Sequence, residues 1–135
     1  KPVDWWALGV LLYEMIAGID PFSDEDPMTV YQNILERKLE FSSNFNQESK
    51  SLIKHLLEPD LSKRYGNLLN GVNDIKNHRF FKELNWSDLI KYKLKAPYLP
   101  KVSGSGDVSN FAENDEPEVE DAIAIKPSED PFADW

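Results

Sequence analysis

The chain carries a nearly unbroken apolar stretch close to its beginning. Between Val3 and Ala17, Asp4 and Glu14 are the only charged residues. A helix of this composition is apolar almost all round, so we expect it to be buried on nearly all sides. At about 1.5 Å per residue it is roughly 20 Å long, whereas a membrane-spanning helix needs about 20 consecutive apolar residues. The stretch therefore predicts a central buried helix and not a membrane span.

The two acidic residues of this helix need separate explanations. Asp4 lies just before the apolar run, where a carboxylate can accept from the first free amides, so we favour a helix N-cap over a functional acid. Glu14 lies inside the run, where an ionised carboxylate is costly unless a cation meets it. An internal salt bridge is the favoured interpretation, and a carboxylate that reads a ligand is the alternative. The two acids lie about 15 Å apart along the axis, too far for a catalytic dyad.

The negative charge is concentrated at the C-terminal end. Residues 1–101 carry 14 basic and 14 acidic residues, whereas residues 102–135 carry one basic and ten acidic residues, which accounts for the net charge of −9. The chain has no basic footprint for nucleic acid, and phosphate backbones and anionic lipids repel an acidic tail. We therefore expect neither nucleic acid nor a membrane among its partners.

Cysteine is absent from the sequence, and no signal peptide is recognisable. Disulfides, thiolate nucleophiles and zinc–thiolate sites are therefore excluded. We expect a cytoplasmic location, with the nucleus as an additional compartment. His55 and His78 lack a nearby ligand pattern, so ordinary surface or hydrogen-bonded histidines are favoured over a metal site. Because the chain opens almost directly on its core helix without a methionine, we expect it to be the C-terminal piece of a longer protein.

Further helices are predicted from capping and periodicity. Asp26 and Pro27 fit the N-cap and first position of an amphipathic helix that carries Tyr31, for which packing is favoured over partner recognition. A helix over residues 47–57 follows, and a short one near residues 73–81. The core positions of the 47–57 helix are Leu52, Ile53, Leu56 and Leu57.

Arg64 lies in a polar turn between Leu61 and Tyr65. A solvated surface charge is the ordinary interpretation. The alternative is that the guanidinium is drawn inward as the bidentate partner of a carboxylate. No acidic residue of the sequence is an obvious partner.

The last third of the chain has a different character. Residues 96–100 contain two prolines and must run extended, and residues 103–106 form a Gly/Ser hinge. The acidic composition beyond the hinge is typical of disorder. Two aromatic residues at the very end, Phe132 and Trp135, suggest an anchor that docks elsewhere.

Several uncommon strings occur in a fixed order. They are DWWALGV at 4–10, YEM at 13–15, DLSKRYGN at 60–67, NGVNDIKNH at 70–78 and SNF at 109–111. In order and spacing they resemble the C-terminal part of the AGC group of serine/threonine protein kinases, most closely the cyclic-AMP-dependent kinases. The resemblance implies a mainly α fold, the helical second half of a kinase large lobe followed by an extended acidic tail, within a two-lobed α+β parent. Residues 1–81 would belong to the kinase domain and residues 82–135 to the AGC tail.

The resemblance also implies roles for single residues. Asp4 would support the catalytic loop from beneath. Glu14 would bind an arginine upstream of the phosphorylated serine or threonine, which reverses the preference for an internal salt bridge. Arg64 would pair with the glutamate of an Ala-Pro-Glu motif that this sequence lacks.

Four aromatic residues receive roles in the same way. Tyr31 matches a position on the helix that receives regulatory subunits, and Phe111 would border the adenine pocket. Phe132 and Trp135 would fill a hydrophobic groove on the small lobe.

The activity implied for the parent is phosphoryl transfer from ATP, with magnesium, to proteins that carry basic motifs, under control of a cyclic-AMP-binding regulatory subunit. The sequence lacks the glycine-rich loop, strand lysine, helix-C glutamate, His-Arg-Asp loop and Asp-Phe-Gly motif that this chemistry needs. We therefore expect this chain by itself to contain no catalytic residue, to bind no metal or cofactor, and to be inactive. The alternative is a catalytically dead docking module that binds kinase regulatory partners.

Overall fold

The computed structural model describes residues 1–112 and residue 126. The described residues contain five α-helices and one 3-10 helix, and no strand, which confirms the predicted mainly α class. In chain order they are α1 (Pro2–Ala17), α2 (Pro27–Glu36), α3 (Gln47–Leu56), α4 (Val72–Lys76), the 3-10 helix Arg79–Phe81 and α5 (Trp86–Ile90). The chain divides into two compact units, Lys1–Lys93 and Leu94–Trp135. In the described part, every helix is too short or too polar to cross a bilayer.

The observed ends of α1 agree only in part with the ends predicted from the sequence. Gly18 closes the helix in the left-handed region (φ 78°), and its amide donates to the Glu14 carbonyl oxygen over 2.8 Å, as the glycine predicts. The predicted N-cap at Asp4 is wrong, because α1 already begins at Pro2. Proline is well suited to the first position of a helix, because the amide hydrogen that it lacks would have no acceptor within the helix. The Asp4 side chain instead lies in the first turn of α1 and is exposed.

The expectation that α1 is buried on nearly all sides is wrong for the described chain. Within α1 only Gly9 and Tyr13 are buried, whereas Val3, Leu11 and Met15 are 64%, 51% and 74% exposed. The reason is that α3 covers one face of α1, and no other described segment covers the face that carries these three side chains.

The core forms around α3. Leu52, Ile53, Leu56 and Leu57 are at most 1% exposed, which confirms the predicted core positions. Two of them, Ile53 and Leu57, pack in one cluster with Tyr13, whereas Leu52 and Leu56 pack in a second cluster. The other buried members are Phe22 and Phe45 in the first cluster and Ile75 in the second. The α3 helix is therefore the most deeply buried element of the first unit.

The second helix begins as predicted and ends in an unexpected way. The Asp26 carboxylate accepts from the amides of Met28 and Thr29 over 3.3 and 3.0 Å. At the other end Arg37 adopts a left-handed conformation (φ 54°). Its guanidinium lies 2.9 Å from the Glu58 carboxylate and also donates to the Lys54 carbonyl, so it ties α2 to the end of α3.

The region beyond α3 is divided more finely than the sequence suggests. The single helix predicted near 73–81 is two elements, because His78 is extended (φ −65°, ψ 145°) between α4 and the 3-10 helix. The α5 helix was not predicted. It begins at Trp86, whose indole nitrogen donates to the Lys76 carbonyl over 3.1 Å and whose ring lies 5.1 Å from that of Phe81.

Candidate functional site

A buried guanidinium lies at the beginning of α1. Arg64 is only 7% exposed, so the ordinary interpretation of a solvated surface charge is wrong and the guanidinium is drawn inward from its turn. Its Nε donates to the Glu58 carbonyl over 2.7 Å, and Nη1 donates to the Pro2 carbonyl over 3.0 Å. The guanidinium carbon lies 5.0 Å from the centre of the Trp6 ring. Burial lowers the pKa of Arg64, and the nearby Glu58 carboxylate partly offsets this effect.

Arg64 lacks an anionic partner in the part of the chain that the structure describes. The carboxylate of Glu58 is paired with Arg37, and no described acid forms an ion pair with Arg64. A buried cation is normally compensated by a carboxylate, because isolated charge is costly away from water. Among the described residues, the guanidinium is therefore compensated by main-chain carbonyl oxygens and the Trp6 ring and not by a carboxylate.

An apolar cavity of about 620 Å³ opens beside this guanidinium. Its walls include Trp6, Ile34, Leu35, Pro59, Leu61 and Arg64. Its walls are mainly apolar, and the cationic residues that line it are Lys1 and Arg64.

The two acids of α1 both point to solvent. Glu14 is exposed and its carboxylate has no hydrogen bond or ion pair with any described residue, so the internal salt bridge is wrong. Exposure removes the desolvation cost that motivated that interpretation. Asp4 is also exposed. The structure therefore brings neither acid to Arg64 and leaves Glu14 available to a cation from another molecule.

One face of α2 is exposed and apolar. Met28, Tyr31 and Leu35 are 65%, 61% and 80% exposed and lie at i, i+3 and i+7, on one side of the helix. The packing interpretation of Tyr31 is therefore wrong. Leu35 also lines the cavity beside Arg64, which the sequence did not predict. Ile34 contacts the core, and successive helix residues point about 100° apart, so Leu35 lies on a different side of α2 from Ile34.

Phe111 lies in the second unit, just after a tight turn. The Asp107 carboxylate accepts from the Ser109 amide over 2.8 Å and from the Ser103 amide and hydroxyl over 2.6 and 2.8 Å. These hydrogen bonds from Ser109 and Ser103 hold the pKa of Asp107 well below its usual range. Phe111 itself is 75% exposed. Phe132 and Trp135 lie outside the described residues.

Among residues 1–112 and 126, no three histidine or acidic side chains come together in a way that could hold a metal ion. The described residues therefore provide no carboxylate set for magnesium.

Comparisons with known proteins identify the family. A model of the protein kinase domain matches residues 1–81. The chain is 49% identical over 125 residues to the cAMP-dependent protein kinase catalytic subunit 3 of Drosophila melanogaster, covering 93% of this chain and 21% of that protein. It is 45% identical over 125 residues to the cAMP-dependent protein kinase catalytic subunit PRKX of Mus musculus, covering 93% of this chain and 35% of the relative. The Dictyostelium discoideum cAMP-dependent protein kinase catalytic subunit is 42% identical over 133 residues, covering 98% of this chain and 20% of that protein.

These alignments cover a small part of each relative. In the three comparisons the chain spans 20–35% of the relative's length, in each case with more than nine tenths of its own residues aligned. The order of the matching strings, the helical fold and the kinase-domain match all agree. The chain belongs to the protein kinase family, as a fragment of the AGC type that resembles cAMP-dependent protein kinase catalytic subunits.

Proposed function

We propose that the chain is the C-terminal part of an ATP- and magnesium-dependent serine/threonine kinase that phosphorylates proteins with basic residues upstream of the acceptor. The observation that supports this substrate preference is Glu14, an exposed carboxylate with no partner among the described residues. A carboxylate in this state is suited to a bidentate contact with the arginine of a peptide. The names of the relatives support the kinase activity.

The substrate preference is tested by replacing Glu14 in the complete kinase. A charge-assisted hydrogen bond contributes about 1.5–3 kcal/mol, so Glu14→Gln should lower kcat/KM roughly 10- to 100-fold for a peptide with upstream arginine. The same peptide with alanine in place of arginine should lose almost nothing. Glu83→Gln, at an exposed acid outside the proposed site, is the matched control. An equal loss on both peptides would overturn the proposal.

Other residues would support parts of the kinase that this sequence does not contain. We propose that Arg64 binds the glutamate of an Ala-Pro-Glu segment, which would seat its apolar residues in the adjacent cavity. Asp4 would hold the backbone of the catalytic loop. Phe111 would border the adenine ring of ATP, and Phe132 with Trp135 would anchor the tail in a groove of the small lobe.

The cofactors belong to the proposed parent. Bound magnesium would screen the phosphate charges of ATP during transfer. The described residues of this chain do not fit that role, because they include no metal-binding cluster and their contact with nucleotide would be limited to Phe111. The contribution of this chain is to bind and orient the protein substrate.

The exposed face of α2 supports a second candidate function. A catalytically dead or short product that keeps Met28, Tyr31 and Leu35 exposed could bind a cyclic-AMP-binding regulatory subunit by this face. The coding sequence upstream of Lys1 separates the two: His-Arg-Asp and Asp-Phe-Gly motifs in frame support the kinase, and a start codon directly before Lys1 supports the docking module. A cytoplasmic location, with the nucleus as an additional compartment, also remains a proposal, and fluorescence imaging of the tagged protein tests it.

A further inference from the structure

Two histidines lie where α3 meets the 3-10 helix, away from the surfaces described above. His55 Nδ1 is 2.7 Å from the carbonyl oxygen of Ser51, and His78 Nε2 is 3.1 Å from the hydroxyl oxygen of the same serine. The centres of the two rings are 6.1 Å apart, and His55 stacks on Tyr65 at 4.1 Å. Both histidines are hydrogen-bonded within the fold, in agreement with the sequence-based expectation.

The partners assign the protons of both rings. The amide of Phe80 donates to His78 Nδ1 over 3.1 Å, so Nδ1 carries no proton. The neutral His78 ring is therefore protonated at Nε2, which faces the Ser51 hydroxyl. Because the Ser51 carbonyl can only accept, His55 must carry its proton on Nδ1.

His78 is the N-cap of the 3-10 helix, and its ring connects that helix to α3. A second proton on His78 has to go to Nδ1, where it would oppose the Phe80 amide, donor against donor. The cap would then be lost.

We infer that His78 is a pH-sensitive N-cap of the 3-10 helix, intact while its ring is neutral and lost when the ring is protonated, with the bond to Ser51 in α3 holding the ring in place. Only the bond from the Phe80 amide to Nδ1 requires the neutral ring, because Nε2 keeps its proton and its bond to the Ser51 hydroxyl in both protonation states.

The charged groups around His78 favour the neutral ring. Burial lowers the pKa of His78, and His55 lowers it further, whereas the carboxylate of Glu48 raises it. Arg79 lines a small pocket together with Glu48 and His78. The folded pKa thus lies below the unfolded value of about 6.5. The contribution to stability is complete above that value and is lost as the pH falls towards the folded pKa.

The inference is tested on the 135-residue chain by following two signals between pH 8 and pH 5. The ring nitrogens of ¹⁵N-labelled His78 should show the Nε2–H tautomer at neutral pH. Hydrogen exchange of the Phe80 amide, corrected for the intrinsic pH dependence of exchange, should lose protection as His78 titrates. The loss should be about tenfold for each unit by which the pKa of His78 lies below that of the unfolded chain.

Two variants provide the controls. His78→Asn keeps a side chain that can cap the 3-10 helix but does not titrate, so the protection of Phe80 should no longer change with pH. His55→Gln removes the neighbouring charge and should move the His78 midpoint to higher pH. An Nδ1–H tautomer at neutral pH, or a titration of His78 that leaves the Phe80 amide unchanged, would overturn the inference. The wild-type measurement decides the question even if a variant does not fold.

Discussion

Arg64 is held inside the first unit by main-chain carbonyl oxygens on two sides. Its Nη1 reaches Pro2, which is 62 residues away in the sequence, and its Nε reaches Glu58. A planar guanidinium can make these contacts and also lie against the Trp6 ring, whereas an ammonium group cannot do both. The residue therefore joins the start of α1 to the turn that follows α3, whether or not an anion is bound.

Replacement of Arg64 by lysine should be destabilising for this reason. Arg64→Lys loses at least one carbonyl contact and the ring contact, and leaves buried acceptors unpaired, so we expect a loss of about 1–3 kcal/mol in the free energy of unfolding. Urea unfolding at fixed pH measures it. Arg79→Lys, at an exposed arginine, should change stability by less than about 0.5 kcal/mol. Similar losses in the two variants would show that Arg64 has no special structural role.

The α1 and α3 helices approach each other closely at Gly9. A Cβ atom placed on Gly9 would lie 2.8 Å from Leu57 Cδ2 and 2.9 Å from Leu56 Cβ, both on side chains that are fully buried. The absence of a side chain at this one position allows the two helices to touch. Neither helix could be predicted to lie against the other from its own periodicity.

Gly9→Ala should separate α1 from α3. Overpacking costs about 1–3 kcal/mol, and the contacts below 3.0 Å with buried side chains place Gly9 in the upper half of that range, so after a gain of roughly 1 kcal/mol in helix propensity we expect a net loss of about 1–2 kcal/mol. The matched control is Gly104→Ala, where an added methyl group meets no atom. Thermal unfolding of both variants checks the prediction, and a Gly9→Ala chain as stable as the wild type would contradict the close contact.

Local signals predicted some elements better than others. The starts and ends of α1 to α3 were mostly recognisable, because Gly18, the Asp26–Pro27 pair and the Leu/Ile spacing of α3 act over one or two turns. The α5 helix was missed because it has only five residues, Trp86–Ile90, and is stabilised by the contact of Trp86 with Phe81. The division between residues 81 and 82 stays a prediction, and the first compact unit continues to Lys93.

At the scale of the whole molecule, several apolar surfaces of the described residues are not covered by other described residues. The exposed side of α1 and the α2 face carry large apolar side chains, and the cavity beside Arg64 is lined mainly by apolar residues. Together with the short coverage of the relatives, they are consistent with a chain that supplies part of a kinase. A kinase needs two lobes around its nucleotide, and the described residues supply no metal cluster for it.

The 135-residue chain alone should therefore transfer no phosphate. With ATP, magnesium and an arginine-containing peptide, we expect no labelled product above a blank, whereas the complete kinase should give one. Calorimetric titration with magnesium–ATP should likewise show no binding to the chain. Phosphate transfer by the isolated chain would contradict the proposal that the catalytic and nucleotide-binding groups lie in other parts of the kinase.

The sequence by itself determined the family and the local elements, because ordered strings, caps and hydrophobic spacing are properties of neighbouring residues. It also indicated that Glu14 and Arg64 needed explanation. The tertiary structure alone decided that Glu14, Tyr31 and Leu11 are exposed and that Arg64 is buried. The physical reason is that burial depends on what covers a side chain, and the covering residues come from distant parts of the chain. The contact of His78 with Ser51, 27 residues away, could be found only in the folded molecule for the same reason.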